Sequence, residues 1–384
     1  MKQIQSAVVI GGTSGIGRSI ALRLAESGAS VTCFGRCLPE TSDANIEYRR
    51  LNLLTGDLEP LDFCLDADAL IYCAGLGRVA RFDDLTDAEI SILFRTNAEY
   101  LARVLRVFQP RLNSDRDFYC AAIGSIAGLI PSPMLAAYGA AKAAAASLCA
   151  SVNAELAAQN RENRVLMIAP GFVSGTRFCG GADDPSATAD LADEIIRRMM
   201  SRETRFIPSY EETYKSVLER AQADPDAFAA QSWDYKQSRA EEKPRLKVGF
   251  LSGTFDLFHI GHLNLLRRAK QYCDYLIVGV HPPGSSHKNK PTYIPLEERM
   301  AILSSVKYVD KVVVTLDEDD DMYALYPYDY LFVGDDYKGT PRFNRYEEEL
   351  TPLGVKIIYF PYTKGTSSTQ LREALDANRQ GDDK

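Results

Sequence analysis

The sequence predicts an α/β protein of two domains, each with its own parallel sheet. Two stretches support this prediction, because residues 7–17 and 248–262 each pass from an apolar strand through a glycine-containing turn into a helical pattern. Such a turn exposes backbone N–H groups at a helix N-terminus, where phosphate groups bind. A chain of 384 residues is long enough for two domains with separate cores.

In the first half of the chain, short apolar strands alternate with helical stretches, as in a parallel sheet with crossover helices. A helix follows the first glycine turn, and an alanine-rich helix opens at Tyr138 and runs to about Leu156. The predicted strands cover residues 7–10, 30–34, 46–51, 70–75, 121–125 and 205–208.

The first glycine turn, GGTSGIG, lies between a strand and a helix, and a second strand follows. This order is typical of a dinucleotide site that holds the pyrophosphate at the helix N-terminus. A simple tight turn is the alternative, and the surrounding strand–turn–helix–strand unit argues against it. The residues predicted to contact the cofactor in this turn are Gly11, Thr13, Ser14, Gly15, Ile16 and Gly17.

The second strand ends at a basic residue, Arg36. An acidic residue at this place usually meets a free ribose 2′-hydroxyl, whereas a basic residue suits a 2′-phosphate. The sequence therefore favours NADPH over NADH, and a solvated loop charge is the alternative role for Arg36.

Four further residues have the chemistry to reduce a carbonyl. Tyr138 and Lys142 are four positions apart and share one helix face. The lysine is expected to lower the pKa of the phenol, which makes Tyr138 a proton donor near neutral pH. Ser125 follows a strand and can hold a substrate carbonyl, and Asn97 lies on a predicted helix. If Tyr138 is an ordinary half-buried aromatic residue instead, this set is a coincidence.

These motifs resemble the short-chain dehydrogenase/reductase family over residues 5–180, although Cys73 stands where the family has asparagine. The resemblance implies a Rossmann-like parallel-sheet domain, an NADPH cofactor with NADH as the alternative, and a homo-oligomer, either dimer or tetramer. It assigns catalysis to Asn97, Ser125, Tyr138 and Lys142, with Asn97 supporting a proton relay. It also implies cofactor contacts from Asn52, Ala74, Gly75, Pro170, Gly171, Val173 and Thr176.

Several basic residues follow Thr176, in the lobe where the family binds substrate. Some of them could bind a phosphate group, but a solvated basic helix face is favoured for any single one. These residues are Arg177, Arg197, Arg198, Arg202, Arg205 and Lys215.

In the second half, His259 and His262 stand where a strand passes into a helix N-terminus. Three positions apart, they fall on one face of the first helical turn, where they can stabilise charge on a transferring phosphoryl group. A pair of surface histidines and half of a zinc site are the alternatives. The preceding GTFD segment has no part in zinc chemistry, so a nucleotide site is favoured and no metal site is predicted.

The stretch GTFDLFHIGH resembles the HxGH motif of glycerol-phosphate and ethanolamine-phosphate cytidylyltransferases, and the similarity covers the last third of the chain. The resemblance implies a second Rossmann-like domain that transfers CMP from CTP to a phosphate monoester, with Mg²⁺ offsetting the triphosphate charge. Tyr362 stands where the family has arginine, so an ATP-using adenylyltransferase and a non-catalytic module are alternatives. The predicted nucleotide contacts are Gly253, Thr254, Phe255, His259, His262, Lys288, Lys290, Arg299, Gly334, Asp336, Thr363, Gly365, Ser367 and Ser368.

The predicted domains are residues 1–236 and 246–384, joined by a charged, proline-ended linker at 237–245. The acidic run at residues 317–321 is expected to be a solvated loop. The strands predicted for the second domain cover residues 246–251, 275–280, 311–315, 330–334 and 355–360.

Composition limits the partners of this protein. A net charge of −8 without a long basic run argues against nucleic acid. No apolar run approaches membrane-spanning length, and the N-terminus passes directly into the glycine turn, unlike a signal peptide. Eight cysteines without a C-x-x-C pair indicate reduced thiols, so a cytoplasmic location is expected.

Two such domains on one chain predict consecutive steps. A ketose phosphate would be reduced to an alditol phosphate and then activated as a CDP-alditol for capsule or wall polymers. The conversion of ribulose 5-phosphate to CDP-ribitol is the leading example. Synthesis of CDP-glycerol from dihydroxyacetone phosphate, and of a CMP-phosphonate from a phosphonate aldehyde, are alternatives.

Overall fold

The structure is a computed structural model that describes residues 3–36, 38–39, 43–56, 58–176, 183–237, 246–284, 292–361 and 370–371. The main division between its two compact units falls between residues 245 and 246. Most of the predicted linker, residues 238–245, lies outside the described part of the chain.

The first unit is built on a parallel sheet, and the described residues contribute seven strands in the order β3-β2-β1-β4-β5-β6-β7. The order reverses between β1 and β4, and ligands of open α/β sheets bind at the carboxyl ends of the strands beside such a reversal. The strands are β1 Ser6–Ile10, β2 Ser30–Gly35, β3 Ile46–Arg50, β4 Ala69–Tyr72, β5 Tyr119–Ile123, β6 Arg164–Ile168 and β7 Arg205–Phe206.

Helices cover the faces of this sheet. Val9 of β1 packs with Ile20 and Leu24 of the first helix and with Ile195 and Met199 farther along, all of them buried. Burial of these apolar side chains is the main force that holds helix and sheet together. The helices are α1 Gly15–Glu26, α2 Asp87–Phe94, α3 Tyr100–Val107, α4 Gln109–Leu112, α5 Ala136–Ala158, α6 Ala189–Met200, α7 Lys215–Ala223 and α8 Pro225–Gln237.

The second unit has a smaller parallel sheet, whose described strands follow the order β10-β9-β8-β11-β12. Leu251 packs with Leu266 on one face, and Phe250 packs with Phe343 and Tyr346 on the other. The strands are β8 Val248–Gly253, β9 Tyr275–Val280, β10 Lys311–Val314, β11 Tyr330–Gly334 and β12 Lys356–Phe360. The helices are α9 Ile260–Lys270, α10 Leu296–Ser304, α11 Asp319–Leu325 and α12 Pro341–Leu350.

The prediction of a solvated acidic loop at residues 317–321 is wrong. Asp319 begins α11 and is only 5% exposed; burial raises the pKa of its carboxyl group, to which Ser252 hydrogen-bonds. Glu318 accepts hydrogen bonds from Arg342 at 3.1 Å and Arg345 at 2.8 Å, both on α12. Acidic residues suit a helix N-terminus because it carries a partial positive charge. Arg342 and Arg345, which are distant in sequence, offset further negative charge of this run.

Candidate functional site

The first glycine turn brings the backbone close to the end of β4. Gly11 has φ +83°, its N–H donates to the Phe34 carbonyl at 2.7 Å, and a Cβ on it would lie 2.5 Å from the Ala74 nitrogen. A Cβ on Gly17 would overlap the Gly11 carbonyl. Side chains are therefore excluded here, and the N-terminus of α1, whose first turn holds no acidic residue, is suited to an anion.

Predicted cofactor residues also gather at the end of β2. Thr13 packs so tightly on Gly35 that a Cβ on Gly35 would overlap the threonine side chain. The next residue, half-buried Arg36, accepts a hydrogen bond from Arg50 on its carbonyl at 2.8 Å. Asn52 follows β3 and is 1% exposed, so its side chain lies inside the unit.

Asn97 lies in a π-helical turn, Arg95–Glu99, between α2 and α3. Its side-chain nitrogen donates to the carbonyls of Leu76 at 2.7 Å and Leu93 at 2.9 Å. A Cβ on Gly75 would lie 3.2 Å from the Asn97 side-chain oxygen and 3.3 Å from Lys142 Nζ. The fold therefore brings together Gly75, Asn97 and Lys142, which the sequence places far apart.

Ser125 and Tyr138 are joined by a hydrogen bond. The Ser125 hydroxyl oxygen also accepts from the Ala127 N–H at 3.2 Å, which holds the serine at the start of a turn after β5. Tyr138 is 7% exposed, and burial raises the pKa of its phenol to about 12, although the hydrogen bond with Ser125 acts in the opposite direction. The prediction that this pKa is lowered is wrong in this structure, because desolvation of a phenolate outweighs its neighbours.

Lys142 is buried one helical turn after Tyr138. Its Nζ donates to the Ile123 carbonyl at 2.8 Å and lies 5.7 Å from the centroid of the Tyr138 ring. Burial lowers the pKa of this ammonium group to about 8. Tyr138 therefore carries its proton at neutral pH, with a cationic lysine beside its ring.

The segment after β6 closes over the same end of the sheet. The Pro170 carbonyl accepts from the Ile126 N–H at 2.9 Å, next to Ser125 in sequence. The Thr176 hydroxyl donates to the Val173 carbonyl at 2.9 Å, and the Thr176 methyl group lies 3.6 Å from where a Cβ on Gly15 would be. Thr176, a predicted cofactor contact, is thus brought to the glycine turn, and it is bonded to Val173.

The sequence pattern did not single out Tyr214. A Cβ on Gly171 would overlap the Tyr214 hydroxyl, which accepts a hydrogen bond from the Phe172 N–H. No motif surrounds Tyr214, and only the folded chain brings it to the Pro170–Gly171 segment.

In the second unit, His259 is the N-cap of α9. Its Nδ1 accepts from the Gly261 N–H at 3.0 Å, which leaves Nε2 as a possible donor, and burial lowers the pKa of its ring. The rings of His259 and His262 stack with centroids 3.9 Å apart. Phe255, with φ 51°, packs against His262 at 5.2 Å between centroids. The two predicted histidines thus form one surface at a helix N-terminus.

Arg299, a predicted nucleotide contact, lies inside the second unit. Arg299 is 1% exposed, and its guanidinium donates to the backbone carbonyls of Ile294, Thr254 and His281. Only Nη2, like the Thr254 hydroxyl, lacks a hydrogen-bond partner among the residues that the structure describes. These three bonds tie the loops after β8 and β9 to the segment before α10, and Nη2 is the guanidinium nitrogen left to contact a ligand.

Asp256 of the same motif secures the neighbouring loop, because its carboxylate accepts from the N–H groups of Tyr293 at 3.1 Å and Ile294 at 3.0 Å. Gly334 ends β11, which pairs with β8, and a Cβ on Gly334 would overlap the Asp336 carboxylate. Six predicted contacts lie outside the described residues, as does Tyr362: Lys288, Lys290, Thr363, Gly365, Ser367 and Ser368.

Comparison with known proteins assigns each of the two units to a protein family. The model of the cytidylyltransferase-like family matches residues 250–374, and the short chain dehydrogenase model matches residues 5–185. The glycerol-3-phosphate cytidylyltransferase of Bacillus subtilis (strain 168) is 33% identical over 126 residues, which are 32% of this chain and 92% of that protein.

The chain belongs to the cytidylyltransferase-like family. Its N-terminal part is a short-chain dehydrogenase domain. Both domains indicate catalytic activity, so the protein is an enzyme with an oxidoreductase and a nucleotidyltransferase domain.

Solved structures agree with the fold of the dehydrogenase domain. A short chain dehydrogenase from Burkholderia cenocepacia J2315 in complex with NADP has a TM-score of 0.51 and 22% identity, and the match covers 60% of this chain and 99% of that one. A short chain dehydrogenase/reductase from Burkholderia phymatum in complex with NAD has a TM-score of 0.51 and 18% identity. That match covers 59% of this chain and 96% of the other.

The dehydrogenase domain contains a cavity of about 1390 Å³ beside the segments that follow Ser125 and Pro170. Its lining includes Ile130, Phe172, Val173 and a lobe built from α6, α7 and the chain between them. No helix among the described residues is long and apolar enough to span a membrane.

Most predicted basic residues of this lobe are paired with carboxylates. Arg197 and Arg198 bind Glu194 at 2.7 and 2.6 Å, and Lys215 binds Glu211 at 3.0 Å. Arg202 pairs with Asp117 and Glu162. Arg177 lies outside the described residues.

Arg205 differs from these basic residues. It is exposed, it lines the cavity, and it makes no ion pair within the described ranges of the chain. Its guanidinium is therefore available to an anionic substrate group.

Proposed function

We propose that this enzyme reduces a ketose phosphate with NADPH and then transfers CMP from CTP to the resulting alditol phosphate, releasing pyrophosphate. The leading example is ribulose 5-phosphate to CDP-ribitol, for capsule or wall polymers. The proposal is carried by the presence, on one chain, of the assembled Ser125–Tyr138–Lys142 group and the stacked His259–His262 pair.

Three residues of the dehydrogenase domain act on the carbonyl. A bound NADPH would supply the hydride for the carbonyl carbon. Tyr138, protonated at neutral pH, donates its proton to the carbonyl oxygen, and Ser125 positions that oxygen through its hydroxyl. The Lys142 ammonium offsets the charge that develops on the phenol, since it lies 5.7 Å from the ring centroid.

Two observations favour NADPH. Arg36 at the end of β2 suits a 2′-phosphate, and one structural neighbour was solved with NADP. Another neighbour was solved with NAD, which keeps NADH as the alternative.

In the cytidylyltransferase domain, an oxygen of the acceptor phosphate attacks the α-phosphorus of CTP, and the bond to pyrophosphate breaks. His259 and His262 lie at the N-terminus of α9, where donors can stabilise charge on the α-phosphate. Mg²⁺ would accompany CTP, since the triphosphate charge needs an offset. The Bacillus subtilis relative is a glycerol-3-phosphate cytidylyltransferase, which supports a short polyol phosphate as acceptor.

The cavity supports a ketose phosphate as the substrate of the first step. Arg205 offers one guanidinium to a phosphate, and charge-assisted pairs of this kind are strong. Asp190 and Glu212 also line the cavity and make no ion pair within the described part of the chain. Their carboxylates can accept hydrogen bonds from sugar hydroxyls.

CDP-glycerol and CMP-phosphonate synthesis use the same two steps on other carbon chains. An ATP-using second domain, or a non-catalytic one, is the alternative that follows from Tyr362. We also propose a cytoplasmic homo-oligomer, dimer or tetramer, with domains at residues 1–236 and 246–384.

The test is mass spectrometry of the products from NADPH, CTP, Mg²⁺ and a panel of sugar phosphates. The expected result is a CDP-alditol that forms only when both NADPH and CTP are present. Ribitol 5-phosphate supplied directly should give CDP-ribitol without NADPH. If no reduced product accepts CMP, or if the reductase prefers unphosphorylated sugars, the consecutive pathway is wrong.

A further inference from the structure

The N-terminus of α1 holds a carboxylate from a distant part of the chain. The Gly15 N–H donates to Asp183 Oδ1 at 2.5 Å, and Arg18 Nη1 lies 3.9 Å from Asp183 Oδ2. The side chain of Asp183 is only 12% exposed. Gly15 belongs to the turn whose N–H groups are expected to receive the cofactor pyrophosphate.

We propose that Asp183 is an internal competitor for this anion site, and that it must withdraw before the dinucleotide pyrophosphate can bind. Asp183 would thereby lower the affinity of the dehydrogenase domain for its cofactor. This inference rests on the NAD(P) cofactor of the proposed function.

Packing along α1 holds the segment that carries Asp183. Ser19 donates to the Pro185 carbonyl at 2.9 Å and also hydrogen-bonds to Thr188. Farther along the helix, Arg23 holds Asp193 with two hydrogen bonds of 2.6 Å each. The carboxylate is therefore placed at the helix N-terminus by contacts that do not involve Asp183 itself.

Asp183 and a pyrophosphate cannot both occupy this position. The Gly15 N–H has one hydrogen to donate, and the helix N-terminus attracts either anion. A carboxylate and a pyrophosphate placed side by side repel each other, and the repulsion is stronger in a partly buried site than in water. Movement of Asp183 away from Gly15 removes both conflicts, and Ser19 and Arg23 can keep the rest of the segment in place.

Removing Asp183 has different effects if it competes with the cofactor than if it only caps the helix. Loss of a structural cap weakens the domain and, with it, cofactor binding. Loss of a competitor weakens the cofactor-free domain but strengthens cofactor binding. The direction of the change in Kd therefore separates the two roles.

The experiment measures the Kd of the full-length chain for NADPH and NADH by cofactor fluorescence, in Asp183→Asn and in wild type. Removal of the charge should lower the Kd by about tenfold, the scale of one charge-assisted hydrogen bond. Asp184→Asn is the matched control, because the Asp184 side chain bonds to Ser186 and not to Gly15. Its Kd should stay within about twofold of wild type.

Thermal unfolding provides the second measurement. Asp183→Asn should have a lower Tm than wild type without cofactor, and saturating NADPH should raise its Tm by more than it raises that of wild type. An unchanged or higher Kd in Asp183→Asn would overturn this inference and leave the proposed function standing. If neither chain binds NADPH or NADH, the cofactor assignment fails, and the inference fails with it.

Discussion

Lys142 lies against Tyr138, with its Nζ 5.7 Å from the centroid of the phenol ring and 2.8 Å from the Ile123 carbonyl that accepts its hydrogen bond. Burial acts on both groups, raising the pKa of the phenol to about 12 and lowering that of the ammonium group to about 8. Tyr138, the proposed proton donor, therefore keeps its proton over the whole physiological range, and Lys142 is the group that titrates first.

Carbonyl reduction should be constant from about pH 6.5 to 7.5 and fall as the pH rises through about 8. Below a pKa of about 8 Lys142 is charged, and above it the charge is lost, whereas Tyr138 stays protonated until about 12. The measurement is kcat/KM for the carbonyl substrate against pH. In Lys142→Arg the fall should move to higher pH, since a guanidinium keeps its charge. An identical alkaline limb in a folded Lys142→Arg chain would contradict this assignment.

The two activities should be separable by single substitutions. Tyr138→Phe removes the proton donor, so reduction should fall by about 10²-fold or more while CMP transfer stays unchanged. His262→Ala should do the reverse, because it removes one ring of the stacked pair. Both activities are measured on the same preparation, with circular dichroism to check folding. Loss of both activities in a folded variant would contradict independent sites.

Cofactor preference should depend on Arg36. Arg36→Asp places a negative charge where a 2′-phosphate is expected, so the KM for NADPH should rise far more than the KM for NADH. Arg36→Gln separates loss of the positive charge from its reversal and should give an intermediate preference. An unchanged NADPH/NADH ratio in both variants would show that Arg36 does not contact the 2′-phosphate.

Arg205 should determine the preference for phosphorylated substrates. Arg205→Gln should lower kcat/KM for the ketose phosphate by roughly ten- to a hundredfold, the scale of a charge-assisted contact, and leave the free ketose unaffected. Arg197→Gln is the matched control, since Arg197 lies on the same lobe but pairs with Glu194 at 2.7 Å. Equal losses for both substrates would indicate a structural role for Arg205.

The strands of the smaller sheet were predicted well. Two of them, Tyr275–Val280 and Tyr330–Gly334, have the predicted bounds, because each is a short apolar run with clear turn residues around it. In the larger sheet, β4 ends at Tyr72 and β5 at Ile123, earlier than predicted. The residues after them, including Gly75 and Ser125, lie in loops at the carboxyl edge.

The sequence by itself determined the fold class and the two families, and it predicted the candidate catalytic residues. A strand–turn–helix unit depends on neighbours within a few residues, and the spacing of Tyr138 and Lys142 or of His259 and His262 sets a common helix face. Patterns of this kind can therefore be recognised without knowledge of the rest of the chain.

Only the tertiary structure decided the electrostatic state of these residues. Asp183 meets Gly15 across 168 positions, Asp319 is buried where a solvated run was predicted, and the Tyr138 phenol has a raised pKa instead of a lowered one. Arg205 makes no ion pair with a described residue, whereas Arg197, Arg198, Arg202 and Lys215 of the same lobe each pair with a carboxylate. Burial and ion pairing depend on which distant groups the fold brings within a few ångströms, and that information is not contained in local sequence spacing.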